Sequence, residues 1–346
     1  MNEAMLYKKL EDKKVKCGLC SHGCTIADGK RGICGVRENR KGTLYSLVYG
    51  KAIAAHIDPI EKKPFFNYLP GSKSFSIATT GCNFRCKFCQ NWQISQKADS
   101  YKEMPGENLP PEDVVRLAKE NNCESIAYTY TEPTIFFEYA YDTSILAKKE
   151  GIANLYVTNG FMSEEMLRIY KKYLNAANVD LKAFTDRFYG EICSASLEPV
   201  LNSLRLMKKL GIWVEVTTLV IPTLNDSMDE LRQIAEFIKN ELGNETPWHI
   251  SRFYPHYRLK NLPQTDIETI HRAREIGLDT GLRYVYTGNI PGDIGENTYC
   301  YNCNELLIKR YLFTVYENRI EDSKCPNCGA KIDGRLLVDI EGLIKK

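Results

Sequence analysis

The run Phe75-Ser76-Ile77-Ala78-Thr79-Thr80-Gly81-Cys82-Asn83-Phe84-Arg85-Cys86-Lys87-Phe88-Cys89-Gln90-Asn91 joins a β-rich apolar segment to a loop with three cysteines. The spacing C-x3-C-x2-C gathers three thiols in one short loop, with an aromatic residue just before the third. A [4Fe–4S] cubane has four irons and normally takes four thiolates. Three ligands in one loop would hold three irons and leave the fourth open to a group other than protein. Half of a zinc site is the competing reading. Zinc ligands usually pair as C-x2-C, however, and x3 followed by x2 with Phe88 departs from that habit.

Working outward, the 346 residues suggest one large domain with small appendages. Lys+Arg 46 against Asp+Glu 44 gives no electrostatic case for nucleic acid or an anionic membrane as partner. The first residues carry no signal-peptide hydrophobic region, and no stretch approaches the roughly 20 apolar residues that span a bilayer. The chain therefore reads as cytoplasmic. In a reducing compartment its 13 cysteines argue for metal rather than disulfides. All but Cys123 and Cys193 fall into three tight clusters, and those two read as small buried hydrophobes.

The N-terminal cluster, Cys17, Cys20, Cys24 and Cys34, defines an expected metal-binding module over 1–45. Its C-x2-C-x3-C-x9-C spacing fits zinc or an iron–sulfur cluster; zinc is favoured because folding a short knuckle needs only a redox-inert ion. His22 reads as a turn residue, since four cysteines suffice. The C-terminal cluster, Cys300, Cys303, Cys325 and Cys328, forms two C-x2-C knuckles of zinc-ribbon or rubredoxin kind over 299–346. Zinc is favoured there, with a single redox-active iron as the alternative. The segment Tyr311–Tyr316 between the knuckles reads as a strand.

Between the modules, 46–298 alternates short β-rich runs with helical stretches. Strands are expected at Phe75–Thr80, Ser125–Tyr130, Asn154–Thr158, Ala177–Leu181, Trp213–Ile221, His249–Tyr254 and Leu282–Tyr286. Helices are expected at Pro111–Asn121, Thr134–Lys149, Glu164–Tyr173, Pro199–Leu210, Met228–Glu241 and Ile267–Ile276. Such alternation implies an α/β fold of parallel βα units, closing fully or partly into a TIM-like barrel. An open doubly wound sheet is the alternative. In both, chemistry gathers at the carboxyl ends of the strands. There this sequence places the cysteine loop, then Thr131 and Glu132, Thr158 and Asn159, Asp180 and Lys182, Ile221 and Pro222, and finally Arg252, Tyr254 and His256.

The loop Cys82–Cys89 resembles the cluster motif of the radical S-adenosylmethionine (radical SAM) superfamily. The central region is similar to its pyruvate formate-lyase activating-enzyme branch: Cys89-Gln90-Asn91 resembles the third-cysteine motif and Asp180-Leu181-Lys182 the D-x-K strand. Val157-Thr158-Asn159-Gly160 resembles the D-T-N-G strand end, with Val157 where that motif has aspartate. Nearly the full length, including Cys17–Cys24, Gly32–Arg37 and Tyr128–Thr134, looks like the AmmeMemoRadiSam-system radical enzymes.

The resemblance implies a site-differentiated [4Fe–4S] cluster on Cys82, Cys86 and Cys89. S-adenosylmethionine would chelate the open iron and yield a 5′-deoxyadenosyl radical for hydrogen abstraction. It implies an electron donor such as flavodoxin or ferredoxin, and Memo-family and AMMECR-family proteins as associates. In such a pocket Glu132 and Thr131 would accept the ammonium of S-adenosylmethionine, and Lys182 would meet its carboxylate. Phe88 and Ile221–Pro222 would flank adenine, with Asn91, Thr158, Asn159 and Asp180 completing the wall. Arg252, Tyr254 and His256 would face substrate. A glycyl-radical activase is the alternative function. A zinc-ribbon nucleic-acid binder or modifier is a further one, which the near-neutral charge disfavours.

Overall fold

The computed structural model describes residues 2–336. Its central sheet has eight strands: β1 (Ala54–Pro59), β2 (Lys73–Ala78), β3 (Ser125–Tyr128), β4 (Ala153–Thr158), β5 (Ala176–Asp180), β6 (Trp213–Val220), β7 (Trp248–Arg252) and β8 (Val285–Gly288). From β2 to β8 each strand pairs in parallel with the next in sequence, and β1 pairs antiparallel with β2. A doubly wound sheet reverses its strand order at a switch point; this one does not. Among the described residues β1 and β8 do not pair, so the architecture is a partial TIM-like barrel.

Helices α1 (Pro111–Glu120), α2 (Phe137–Lys149), α3 (Glu164–Tyr170), α4 (Glu198–Lys209), α5 (Met228–Phe237) and α6 (Ile267–Thr280) alternate with these strands. Their starts follow local chemistry. Ser163 and Ser227 accept hydrogen bonds from the Met166 and Glu230 amides, capping α3 and α5, and α1 begins on Pro111. Buried Tyr128, Tyr156, Val179 and Val216 belong with helix residues to the main core. No helix among the described residues is long and apolar enough to cross a membrane.

The other face of the sheet is filled by a segment without a sequence signature, residues 60–72. Its Ile60, Phe65, Tyr68 and Leu69 pack on Ala127, Leu155, Ala176 and Trp213. Burying a phenylalanine such as Phe65 contributes roughly 1.5–3 kcal/mol. Glu215 anchors the segment: its fully buried carboxylate accepts the Phe66 and Asn67 amides, both at 3.0 Å, and Trp213 Nε1 at 3.1 Å. His249 Nε2 lies 2.6 Å from the same group. Glu215 and His249 sit at the amino ends of β6 and β7, so this plug closes the end opposite the cysteine loop.

The C-terminal module buttresses the plug. Arg310 donates to the Phe66 carbonyl at 2.9 Å, sits 4.3 Å from the Phe66 ring centre and lies 3.5 Å from buried Glu61. The single strand expected at Tyr311–Tyr316 is instead the turn of a hairpin, Leu306–Tyr311 and Thr314–Asn318, with Leu312 at φ 53°. Aromatic and β-branched content marked the β character, but a left-handed leucine has no sequence signal. Of the expected 299–346 module, 337–346 lie outside the described residues.

The N-terminal region forms two small three-stranded antiparallel sheets. The buried pair Arg37–Glu138, at 2.9 Å, ties it to α2.

Candidate functional site

The cysteine loop leaves the carboxyl end of β2 and is held from three sides. Gly81 adopts φ 102°, and a Cβ there would come within 2.7 Å of Val36 Cγ1 and 2.9 Å of the Cys34 carbonyl, so only glycine fits. The Arg85 amide donates to the Cys193 carbonyl at 2.8 Å and the Lys87 amide to that of Ile192 at 3.0 Å. On the far side, the Arg258 amide donates to the Lys87 carbonyl at 2.9 Å, and Tyr257 stacks on Trp92 at 5.1 Å.

Ser95 Oγ lies 3.1 Å from Cys89 Sγ, and the Phe84 amide donates to Cys82 Sγ at 3.4 Å. Burial pushes the Cys82 and Cys89 thiols up, while the adjacent Cys193 thiol and then burial push Cys86 up. Thiolates are therefore costly here unless a cation compensates them, as a bound metal does. Among the described residues, only Cys300, Cys303, Cys325 and Cys328 bring their ligand atoms all within 4.8 Å of one another. Three thiols carried by one loop suit a cubane, in which each thiolate takes a different corner iron.

Glu132 takes a different part from the one expected of it. Its Oε1 accepts from Thr134 Oγ1 at 2.5 Å, Thr158 Oγ1 at 2.7 Å and the Thr134 amide at 3.1 Å, and its Oε2 from the Asn159 amide at 2.8 Å. Four donors match the acceptor sites of a carboxylate. The expected ammonium acceptor is instead a buried brace between the ends of β3 and β4. Burial raises its pKa, against the opposing pull of these hydrogen bonds. Asn159 carries the brace into the loop, donating from Nδ2 to Asn83 Oδ1 at 2.7 Å. Replacing Glu132 by glutamine turns an amide donor toward a second donor. This is expected to lower unfolding free energy by about 1–3 kcal/mol in urea titrations; an unchanged midpoint would refute the brace.

The other expected residues gather round the same opening. Thr131 Oγ1 donates to the Thr79 carbonyl at 2.8 Å, and Asn91 Nδ2 to the Tyr130 carbonyl at 2.8 Å. Tyr130 sits at φ 62°, a left-handed backbone that tyrosine adopts only under constraint, and Asn91 secures it. Lys182 Nζ pairs with Asp180 at 2.8 Å and lies 5.5 Å from the Phe88 ring centre. Burial opposes the Lys182 charge, yet Asp180 and the nearby Cys86 hold its pKa well above the usual lysine value. Ile221 is buried and Pro222 partly exposed where β6 ends.

Arg252 is spent on structure, donating to the Thr265 carbonyl at 2.6 Å, and Tyr254 donates to the Asn289 carbonyl at 3.0 Å. His256 keeps a buried Nε2 without a partner. Two contributors escaped the sequence reading. Asn225 ties strand ends together, donating to the Lys182 and Leu219 carbonyls at 2.6 and 2.9 Å while accepting the Ile221 amide at 2.6 Å. Cys193 is buried, as expected, but lies against Cys86 rather than in inert core. Neither belongs to a short motif, so only the fold could reveal them.

Residues 76–238 match the family model described as the radical SAM superfamily. An uncharacterized protein of Methanocaldococcus jannaschii is 49% identical over 96% of this chain and 99% of its own length. The pyruvate formate-lyase-activating enzyme of Clostridium pasteurianum is 23% identical over 59% of this chain and 87% of its own. Among solved structures, Streptococcus suis SuiB bound to S-adenosylmethionine superposes with a TM-score of 0.50 at 13% identity. That match covers 66% of this chain and 53% of SuiB, and shows a likeness of fold.

Proposed function

This chain belongs to the radical SAM superfamily and is an enzyme of that class; from that premise we propose that Cys82, Cys86 and Cys89 hold its [4Fe–4S] cluster and that S-adenosylmethionine binds between the strand ends facing them. When bound, the pair supplies a 5′-deoxyadenosyl radical that abstracts hydrogen from substrate. The observation that carries the assignment is the three-thiol loop, lying at the strand ends where β3, β4 and β5 also finish.

The chain's own residues then position and exclude. Lys182 offers a cation for the carboxylate of S-adenosylmethionine, steadied by Asp180. With Glu132 saturated, the ammonium is left to backbone carbonyls and hydroxyls near Thr131. Phe88 and the Ile221–Pro222 edge offer apolar surface for adenine. Val157 contacts the apolar plug rather than presenting a carboxylate, so an aspartate-bound monovalent cation has no counterpart at that position. Buried Phe84 and Phe161, 5.2 Å apart between ring centres, help keep water from the loop.

The electron donor is taken to be a flavodoxin or ferredoxin, with Memo-family and AMMECR-family proteins as associates. The test is direct: anaerobically reconstituted protein with reductant and S-adenosylmethionine should yield 5′-deoxyadenosine. None from a fully loaded cluster would overturn the reading.

A glycyl-radical activase is the second reading, favoured by the likeness to the Clostridium pasteurianum activating enzyme. Deuterium passing from a labelled glycine of a partner protein into 5′-deoxyadenosine would select it. Absence of transfer would leave a small molecule or side chain as substrate.

A further inference from the structure

We infer that Cys300, Cys303, Cys325 and Cys328 hold one structural zinc ion, and that this ion fastens the plug closing the barrel. Every pair of these sulfurs lies within 4.8 Å, with Cys300–Cys328 at 3.6 Å and Cys303–Cys325 at 3.7 Å. A tetrahedral zinc with bonds of about 2.3 Å sets its thiolates about 3.8 Å from one another. Four sulfurs at that spacing complete the closed coordination of a structural site and leave no position for water or substrate.

Two knuckles of one design build the site. The Cys300 and Cys325 amides donate to the Glu305 and Ala330 carbonyls, at 2.8 and 2.9 Å. The Cys300 and Cys325 carbonyls accept the Asn304 and Gly329 amides, again at 2.8 and 2.9 Å. Asn304 and Gly329 turn the chain back through left-handed backbone, at φ 60° and 73°. The knuckles also bond across the site. Asn302 Nδ2 donates to Cys328 Sγ and Asn327 Nδ2 to Cys303 Sγ, both at 3.5 Å, so each asparagine serves a sulfur of the other knuckle. Outer partners of this kind orient the ligands of a metal.

The site stands at the closed end of the barrel. Arg283, just before β8, lies 4.3 Å from the ring centre of Tyr301, which sits between the first two ligands. Cys300 and Cys325 share one apolar core with Phe66 of the plug, Tyr286 of β8 and Ile332. A few residues past Cys328 the chain pairs with the plug. Asn67 Nδ2 donates to the Asp333 carbonyl at 2.9 Å, the Arg335 amide to the Asn67 carbonyl at 2.9 Å and the Leu69 amide to the Arg335 carbonyl at 2.7 Å. Gly334, at φ 132°, passes so close that a Cβ would stand 2.2 Å from the Asn67 carbonyl oxygen. Drawing Cys325 and Cys328 onto Cys300 and Cys303 therefore holds 333–335 against 67–69, and metal binding becomes folding energy for the plug. The same placement decides between zinc and the redox iron that four sulfurs could also hold. From Glu215, which anchors the plug, to Val220 at the site end of β6, the strand rises about 17 Å. An electron relay would have to cross that barrel to reach the cysteine loop, whereas a fastening needs only a redox-inert ion.

The test joins a zinc count to amide hydrogen exchange. Full-length wild type should carry about one zinc per chain more than the Cys303→Ser/Cys328→Ser variant, a difference in which any zinc on the N-terminal cysteines cancels. In that variant the amides of 60–72 should lose protection while those of α1 and α2 keep theirs. Wild type free of zinc, or holding a single iron on these four sulfurs, overturns the inference whether or not the variant folds. Unchanged protection of 60–72 in a variant that has lost its zinc would confine the ion to its own knuckles and overturn the fastening. A loss spread evenly over α1 and α2 would overturn it too. Neither measurement involves the Cys82–Cys89 loop or cleavage of S-adenosylmethionine, so failure here is distinct from failure of the radical reading.

Discussion

Cys86→Ala is expected to bring reductive cleavage of S-adenosylmethionine down to the level of cluster-free protein. Cys86 is the middle one of the three proposed ligands and the most enclosed, buried between the Cys193 turn and Lys182. Its removal leaves two of the three loop thiols, Cys82 and Cys89. Cys193→Ala is the control. It removes a buried sulfur from the same neighbourhood, at a cost of order 1 kcal/mol for a small cavity, but it should preserve iron and cleavage. The measurements are iron per chain, 5′-deoxyadenosine formed and the far-ultraviolet circular dichroism spectrum. Undiminished cleavage in Cys86→Ala would remove the loop from the chemistry. Equal loss in both variants would show that Cys193 is needed as well.

The largest effect on stability is expected at Glu215. Substitution by leucine leaves the Phe66 and Asn67 amides, the Trp213 indole and His249 without their shared acceptor, all inside the barrel. An unsatisfied buried donor costs about 1–3 kcal/mol. With partial relaxation, a loss of about 3–5 kcal/mol follows, in the range measured when buried ionic partners are broken. That is a large fraction of the roughly 5–15 kcal/mol by which domains are stable. Glu215→Gln keeps one acceptor oxygen and should lose less. Denaturant midpoints give both values, and a Leu variant within 1 kcal/mol of wild type, on the scale of ordinary surface changes, would show that the plug is held by its apolar contacts alone.

Much of the barrel was legible because periodicity and capping are local. Expected strands fell within a few residues of those observed, as with Trp213–Ile221 against Trp213–Val220, and expected helices such as Met228–Glu241 start where observed. The plug at 60–72 was not legible. Ile60, Phe65 and Leu69 follow neither helical nor strand spacing, and they are buried only because a sheet formed by residues far along the chain covers them. Glu132 shows the same limit at the site. Its type suggested a ligand acceptor, while its four donors come from Thr134, Thr158 and Asn159, and two of those three arrive with the next strand.

The three-cysteine loop, the three clusters and the parallel βα order were determined by sequence alone, since ligand spacing and hydrophobic period are properties of short stretches. Tertiary structure decided which end of the barrel is closed, what Glu132 and Cys193 touch, and that the four C-terminal sulfurs stand within 4.8 Å of one another. Each depends on how segments distant in sequence are held in space, which residue counting along the chain does not measure.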